Sequence, residues 1–371
     1  MENDDSYVKN KKDETDEKEA EQQTASTVSS PFKFTEDAKR KLEELNEERL
    51  RVKKIRRIPT IGFIIIFISF SFLKARSPFY IYIPCILIGV GLIAYYFVKG
   101  AKEENNFRTK YKKILNDAIF KNYLDDYEYL PNKGISRDYI YNTNAIQIGN
   151  IFYSEDSITG SYKGIYFLRC DLKIQDEHTD SDGDTHTVTL FEGQWMKFDF
   201  PKSFKSNIQV YSKGFNNVKK NKKNFFTKKF NKEKNDKKRT LVLTESEEFN
   251  KRFKIYASNE HDAYYVLTPH LLEAIEKLKS EFDCPIMLLF TNNSLDVALY
   301  TRKDSLEPSY KKDMEKAIEE SINDATNQMT TLMKFVDYLK LDNDLFKKEE
   351  VSIEENDRAE KDEKDEKIGV N

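Results

Sequence analysis

The chain has 371 residues, and three cysteines, nine prolines and twelve glycines leave it little material for a braced or turn-dominated protein. Cys85, Cys170 and Cys284 are odd in number, far apart and contain no Cys-x-x-Cys pair. That excludes a disulfide scaffold and a zinc ribbon, and fits a reducing compartment. So few glycines and prolines exclude a collagen-like or proline-rich build. Excess charge of one sign is missing as well: 61 Lys+Arg against 64 Asp+Glu give a formal net charge of −3. A general nucleic-acid binder is strongly basic, so nucleic acid is not an expected partner. G-x-S-x-G, Walker A, H-E-x-x-H and a Gly-rich phosphate loop are all absent. The histidines are His178, His186, His261 and His270. His261 and Asp262 could form an acid–base pair, but neighbours in sequence seldom converge on one substrate. The chain is read as a non-enzyme, with no cofactor, metal or catalytic residue assigned.

Charge and apolar residues are instead segregated. Ile58–Leu73 and Pro78–Val98 carry no charged residue, and only Lys74-Ala-Arg76-Ser separates them. Twenty-one helical residues span about 31 Å, the thickness of a bilayer's hydrocarbon core. The first run, about 24 Å long, needs its basic flank to finish the crossing. Tyr80, Tyr82, Tyr95 and Tyr96 lie near the ends of the second run, at the headgroup level. Pro59 falls in a first helical turn, where the missing N–H costs little, and Pro84 is expected to kink the second helix. A soluble core helix shows a polar stripe, and neither run has one. The long polar stretch ahead excludes a signal peptide. Arg49, Arg51, Lys53, Lys54, Arg56 and Arg57 precede the first span, and Lys99, Lys102, Arg108, Lys110, Lys112 and Lys113 follow the second. Two basic residues lie between, so the positive-inside rule puts both termini in the cytoplasm.

The organisation expected is a disordered tail over 1–34, a juxtamembrane helix over 35–57, a transmembrane hairpin over 58–98, a cytoplasmic domain over 99–345 and a disordered charged tail over 346–371. The juxtamembrane stripe, Ala38, Leu42, Leu45 and Val52, is thin and suggests a solvated stalk helix rather than a coiled coil. Beyond the membrane, Phe107, Tyr111, Ile114, Ala118, Ile119 and Tyr123 recur at helical spacing. In 166–174 the period drops to two, with Tyr166, Leu168, Cys170, Leu172 and Ile174 on one side. That predicts a half-buried strand in which Cys170 is a small core residue. Strands near 187–191 and over 194–200 would complete an antiparallel meander. Between the first two strands, His178-Thr-Asp-Ser-Asp-Gly-Asp-Thr-His186 suggests a cation loop. An EF-hand frame centred on Gly183 fails, because its twelfth place is Thr189 rather than Glu. Asp-Gly is ordinary hairpin chemistry, and a solvated turn is the preferred reading.

Residues 213–239 contain twelve Lys/Arg against Glu233 and Asp236, with Phe215, Phe225, Phe226 and Phe230 interleaved. Lys219, Lys220, Lys222, Lys223, Phe225, Phe226, Lys228 and Lys229 form a candidate surface for anionic lipid headgroups. The same pattern suits single-stranded nucleic acid, but a nearby bilayer favours lipid. A solvated Lys/Asn-rich insertion is the alternative. The last third alternates: a short helix over 245–252, a strand over 253–257, a helix opening at Thr268-Pro269, a hairpin over 286–301 and a helix of about 30 residues. The last helix carries Met314, Ile318, Ile322, Ala325, Met329, Leu332, Val336 and Leu339 as one seam, which packs on the sheet or joins a homo-oligomer.

Leu243-Thr-Glu-Ser-Glu-Glu-Phe-Asn-Lys-Arg-Phe-Lys-Ile-Tyr-Ala257 followed by Ala263-Tyr-Tyr-Val-Leu-Thr-Pro269 resembles a bacterial family of membrane-associated proteins, DUF3137, whose function is unknown. Phe191-Glu-Gly193 through Asp199-Phe200 and the two spans resemble it too. The likeness runs over about 40–340, without the Lys-rich insertion or the tails. The family pattern carries a Glu and an Arg just before the Tyr, where this chain has Asp262 and Tyr264. The resemblance implies a two-span anchor and a cytoplasmic α+β domain, and brings no activity. The expectation is an α+β protein: a two-span transmembrane hairpin, an antiparallel sheet with flanking helices, and a long C-terminal helix. Its function would be that of a membrane-anchored interaction or scaffold module with a protein partner, or alternatively an anionic-lipid sensor.

Overall fold

The computed structural model describes residues 36–74, 78–200, 206–215, 239–291, 293–303 and 307–339. Both expected disordered tails and the eight-residue candidate lipid surface lie outside them.

Two long helical stretches open the fold. The first comprises α1 (Glu36–Glu44), α2 (Asn46–Ile55) and α3 (Ile58–Lys74). The second comprises α4 (Phe79–Tyr95), a π-helical turn (Tyr96–Gly100) and α5 (Ala101–Ile119). Each contains a stretch long and apolar enough to cross a membrane. In α3 and α4 most large apolar side chains face outward, with Phe67 76% and Leu87 66% exposed. The two helices cross at glycines. A Cβ on Gly62 would sit 2.7 Å from the Gly89 carbonyl oxygen, and one on Gly89 would sit 2.8 Å from that of Gly62. Small residues of this kind let helix backbones approach closely where lipid supplies no hydrophobic drive.

The juxtamembrane helix is not a solvated stalk. It breaks at Leu45, and both halves fold back on the domain, burying Ala38, Leu42, Val52 and Ile55. Its thin stripe meets α5, the π-helical turn after α4 and the last helix. Arg49, expected as a basic flank, is buried and donates to the carbonyls of Ser309 (3.1 Å) and Lys312 (2.9 Å).

The domain is a nine-stranded sheet, wholly antiparallel, in the order β1-β2-β3-β4-β9-β8-β5-β7-β6. The strands are β1 (Asp125–Leu130), β2 (Ile151–Tyr162), β3 (Ile165–Thr179), β4 (Thr185–Asp199), β5 (Ile208–Ser212), β6 (Thr240–Val242), β7 (Phe253–Ala257), β8 (Ile286–Thr291) and β9 (Ser294–Leu299). A short α6 (Arg137–Thr143) follows β1, α7 (Glu247–Arg252) precedes β7, and α8 (Glu260–Val266) and α9 (Pro269–Glu281) follow it. The chain's final described helix is α10 (Met314–Leu339). Thr268 caps α9, accepting from the Leu271 N–H at 3.3 Å, with Pro269 in the first turn.

Alternation along the strands builds two cores. Ile158, Phe167, Phe198, Val210, Leu288 and Val297 face the helical layer of α5, α9 and α10. Cys170, Leu172, Phe191, Trp195, Met287 and Ala298 face α6 and its flanking loops. α10 lies on the first face with Ile318, Ala325, Met329, Leu332, Val336 and Leu339 buried, so its seam belongs to the sheet.

Two strand expectations need correction. The strand over 166–174 is covered on both faces: Arg169 and Asp171, placed on a solvent side by alternation, are buried. The two strands expected over 187–200 are one, β4. Ile174 pairs with Phe191 and Gln175 with Thr189, so Leu190 is an extra residue that shifts the phase. β1, α6 and α8 carry no sequence signal strong enough to have been anticipated.

Candidate functional site

The densest chemistry among the described residues lies where α5 enters the sheet. β2 pairs Glu155 with Asp171 and then Ile158 with Arg169, leaving a bulge at Asp156 and Ser157. Asp156 adopts a left-handed φ of 57°, one of the few strained non-glycine positions. The bulge turns its carboxylate inward, where Tyr129 Oη donates to Oδ1 at 2.6 Å and Lys112 Nζ to Oδ2 at 2.5 Å. Lys112 also pairs with Glu307 at 2.5 Å, and Arg108 pairs with the same Glu307 oxygen. Arg169 Nη2 donates to Asp171 Oδ1 at 2.7 Å. Lys112, counted from sequence as a membrane flank, is therefore an internal residue.

Burial alone would strip the charge from Lys112. The Asp156 and Glu307 carboxylates outweigh it and hold the ammonium above its ordinary range. Burial also opposes the Glu307 charge, but Arg108 and Lys112 keep that carboxyl below its usual value. Burial, with the Asp156 charge beside it, drives the Tyr129 phenol far upward. Lys112 and Glu307 are thus both held in their charged forms, and each ion of the cluster faces an opposite one. Beside it opens a cavity of about 280 Å³, lined by Tyr153, Glu155, Asp171, Lys173, Glu192 and Lys303. Gly193 closes one side: a Cβ there would lie 2.0 Å from the Leu299 carbonyl oxygen.

The opposite face holds a different centre. Asp296 is buried and accepts from Trp195 Nε1 at 2.9 Å and from Tyr139 Oη at 3.0 and 2.9 Å. Neither donor is charged. Burial pushes this carboxyl up to about 6, against the pull of the two hydrogen bonds.

The expected turn is a hairpin between β3 and β4, extending past Ile151↔Gln175, where β2 ends. Asp180 Oδ1 accepts from the N–H groups of Asp182 (3.0 Å) and Asp184 (2.9 Å), and Oδ2 lies 3.1 Å from His186 Nε2. Gly183 takes φ 88°, as the tip requires. Among the described residues no group of three or more His, Cys, Asp or Glu is placed to hold a metal ion. His261 and Asp262 lie in the first turn of α8, with His261 exposed, and share no cleft with the ion cluster. Cys170 is buried, and burial raises its thiol to about 11.

Phe215, the last described residue before the basic segment, packs on Phe191 (6.2 Å) and Tyr300 (6.4 Å). The register through Ile286, Leu299, Gln194, Asp171 and Glu155 leads from there to Arg108, so the segment departs at the end of the sheet where α5 enters. At the far edge, β6 is the last strand among the described residues, and Leu241, Leu243, Tyr264 and Tyr265 are exposed beside it. Tyr264 Oη donates to the Leu243 carbonyl at 3.2 Å.

From Phe191 through α10, the strands and helices follow the pattern of a protein family of unknown function, whose description matches the chain over residues 189–341. The model that matches residues 189–341 is that of DUF3137, a protein family of unknown function. The DUF3137 segment therefore supplies most of β4, β5 to β9 and α7 to α10, while α5 and β1 to β3, which carry Lys112, Asp156 and Arg169, lie upstream of it. No curated protein matches the chain. The chain is similar to the crystal structure of the mycobacterial trehalose monomycolate transport factor A, TtfA, over 63% of this chain and 95% of that one. Identity is 11% and the TM-score 0.32, a distance at which the likeness carries no argument.

Proposed function

We propose that this protein is a non-catalytic, membrane-anchored interaction module whose two apolar helices cross a bilayer and whose α+β domain recruits a protein partner on the cytoplasmic side. The observation that carries this reading is the helix running from Phe79 to Ile119: its first half exposes apolar side chains all round, and its second half is built into the core. An anchor joined to a domain without a linker holds that domain close to the lipid. Ten of the twelve flanking basic residues remain once Arg49 and Lys112 are set aside as internal, against Lys74 and Arg76 between the spans, which favours cytoplasmic termini. The ions of the cluster are engaged with one another, an arrangement suited to holding α5 rather than to chemistry on a substrate. The β6 edge with Leu241, Leu243, Tyr264 and Tyr265 is the surface that supports a protein partner.

Carbonate-washed membranes test the anchor, and a C-terminal tag probed with impermeant reagents tests the orientation. A chain released by carbonate, or a tag labelled in intact cells, overturns this reading. Proximity labelling from the same tag, compared with a Leu243→Ser/Tyr264→Ser chain, tests the partner surface: the specific labelled set is expected to shrink.

A second reading, an anionic-lipid sensor working through 213–239, draws support from Phe215, which sends that segment off from the α5 entry end. Deleting 216–238 is then expected to lower recruitment of anionic vesicles, in a salt-sensitive way. Unchanged recruitment removes the lipid role.

A further inference from the structure

α5 repeats itself every four residues in two neighbouring rows. One row is Phe107, Tyr111, Leu115 and Ile119, all buried; the other is Arg108, Lys112, Asn116 and Phe120. In the second row the first two members have acidic partners, and the third has none. Asn116 is fully buried, and both its amide nitrogen and its amide oxygen lack a hydrogen-bond partner among the described residues. An unmet buried amide is costly and calls for a physical reason. One turn toward the membrane stand the groups it lacks, the Asp156 carboxylate and the Tyr129 hydroxyl, both now engaged around Lys112.

The geometry points to α5 as a two-position slide, seated as described or drawn one turn, about 5.4 Å, toward the membrane. In the drawn position Asn116 takes the place of Lys112 beside Asp156 and Tyr129. Lys112 takes the place of Arg108 between Glu155 and Glu307, the latter already its partner. Arg108 moves out toward the headgroups. In the apolar row Tyr111, Leu115 and Ile119 each take the socket of the residue one turn ahead. The seated position has the Lys112–Asp156 ion pair and strands the amide; in the drawn one Asp156 gives up that cation, keeps the Tyr129 hydroxyl and gains the Asn116 N–H donor, with Lys112 one turn away. The π-helical turn at Tyr96–Gly100, where α4 meets α5, is an irregular joint of the kind often found at functional positions of helices. A pull from the bilayer on α4 would thus be transmitted to β2 and β3 as a discrete step.

This inference rests on the membrane-anchor reading, and one preparation separates the two. The full chain, with Cys85→Ser, Cys170→Ala and Cys284→Ser, is spin-labelled at Lys113→Cys on α5 and Tyr166→Cys on β3, both exposed. It is reconstituted in phosphatidylcholine vesicles with 14-carbon or 22-carbon monounsaturated chains, and distances are read by double electron–electron resonance. Two distances about 5 Å apart are expected, the longer at least twofold more populated in the thick bilayer. Asn116→Leu, which cannot sit beside Asp156, is expected to leave only the shorter, and Asn116→Lys to favour the longer. A single distance, unchanged between bilayers and in Asn116→Leu, overturns the slide. Should Asn116→Lys fail to fold, the wild-type pair of bilayers and Asn116→Leu still decide. Vesicle flotation of the same samples distinguishes the causes: protein that does not float breaks the anchor reading, and floating protein with one fixed distance breaks the slide alone.

Discussion

The two faces of the sheet bury charge by opposite means. On the α5 face, Lys112, Asp156, Arg169, Asp171 and Glu307 are matched ion against ion. On the α6 face, Asp296 has only the neutral donors Trp195 and Tyr139. The first solution holds Lys112 and Glu307 charged through their partners and depends strongly on keeping every member. The second tolerates the loss of its charge, and it is the one that titrates.

The largest expected effect breaks the first face. Lys112→Met leaves Asp156 buried without its cation, and the full chain in micelles is expected to lose about 3–5 kcal/mol of stability in a denaturant titration. An unchanged midpoint would mean that water already screens the cluster. On the second face the sign is set by a raised carboxyl. Folded Asp296 holds its proton up to about pH 6, whereas the unfolded side chain loses it near 3.8. Its contribution is therefore fully present below about pH 4 and lost as pH rises through 6, a swing of about 3 kcal/mol. Asp296→Asn is expected to flatten the stability profile across pH 4–6, measured as the thermal midpoint. Lys112→Met is expected to leave that slope intact, and if it removes the slope the two faces are not independent. Gly193→Ala forces β4 away from Leu299 and is expected to cost about 1–3 kcal/mol, read in the same titration. The exposed Lys163–Asp337 pair marks the lower end of the scale: Asp337→Ala is expected to shift the midpoint within about 0.5 kcal/mol.

These two faces also explain what could be read from sequence. The α3 and α4 helices were legible because an apolar helix whose side chains face outward needs no alternation, only an unbroken apolar run. The β3 core was half legible: Cys170, Leu172 and Ile174 were placed correctly, but a period of two assigns charged Arg169 and Asp171 to solvent. Only the helical layer that covers this face of the sheet, distant in sequence, reverses that. Leu190 hid the unity of β4 because one extra residue inverts every later side chain. Asp125–Leu130 reads as a polar loop, since this edge strand leaves three of its six residues, all acidic, exposed. Of the ion cluster, nothing in local pattern separates Lys112 from the basic flank around it. Asp296 likewise sits in an ordinary strand, and its burial is fixed by α6, more than 150 residues earlier.

The crossing of Gly62 and Gly89 has its own consequence. With each backbone oxygen occupying the space where the other glycine's side chain would begin, the two helices meet backbone to backbone at that point. A side chain of any size at either position would have to push the two helices apart, so their spacing is set by two hydrogen atoms.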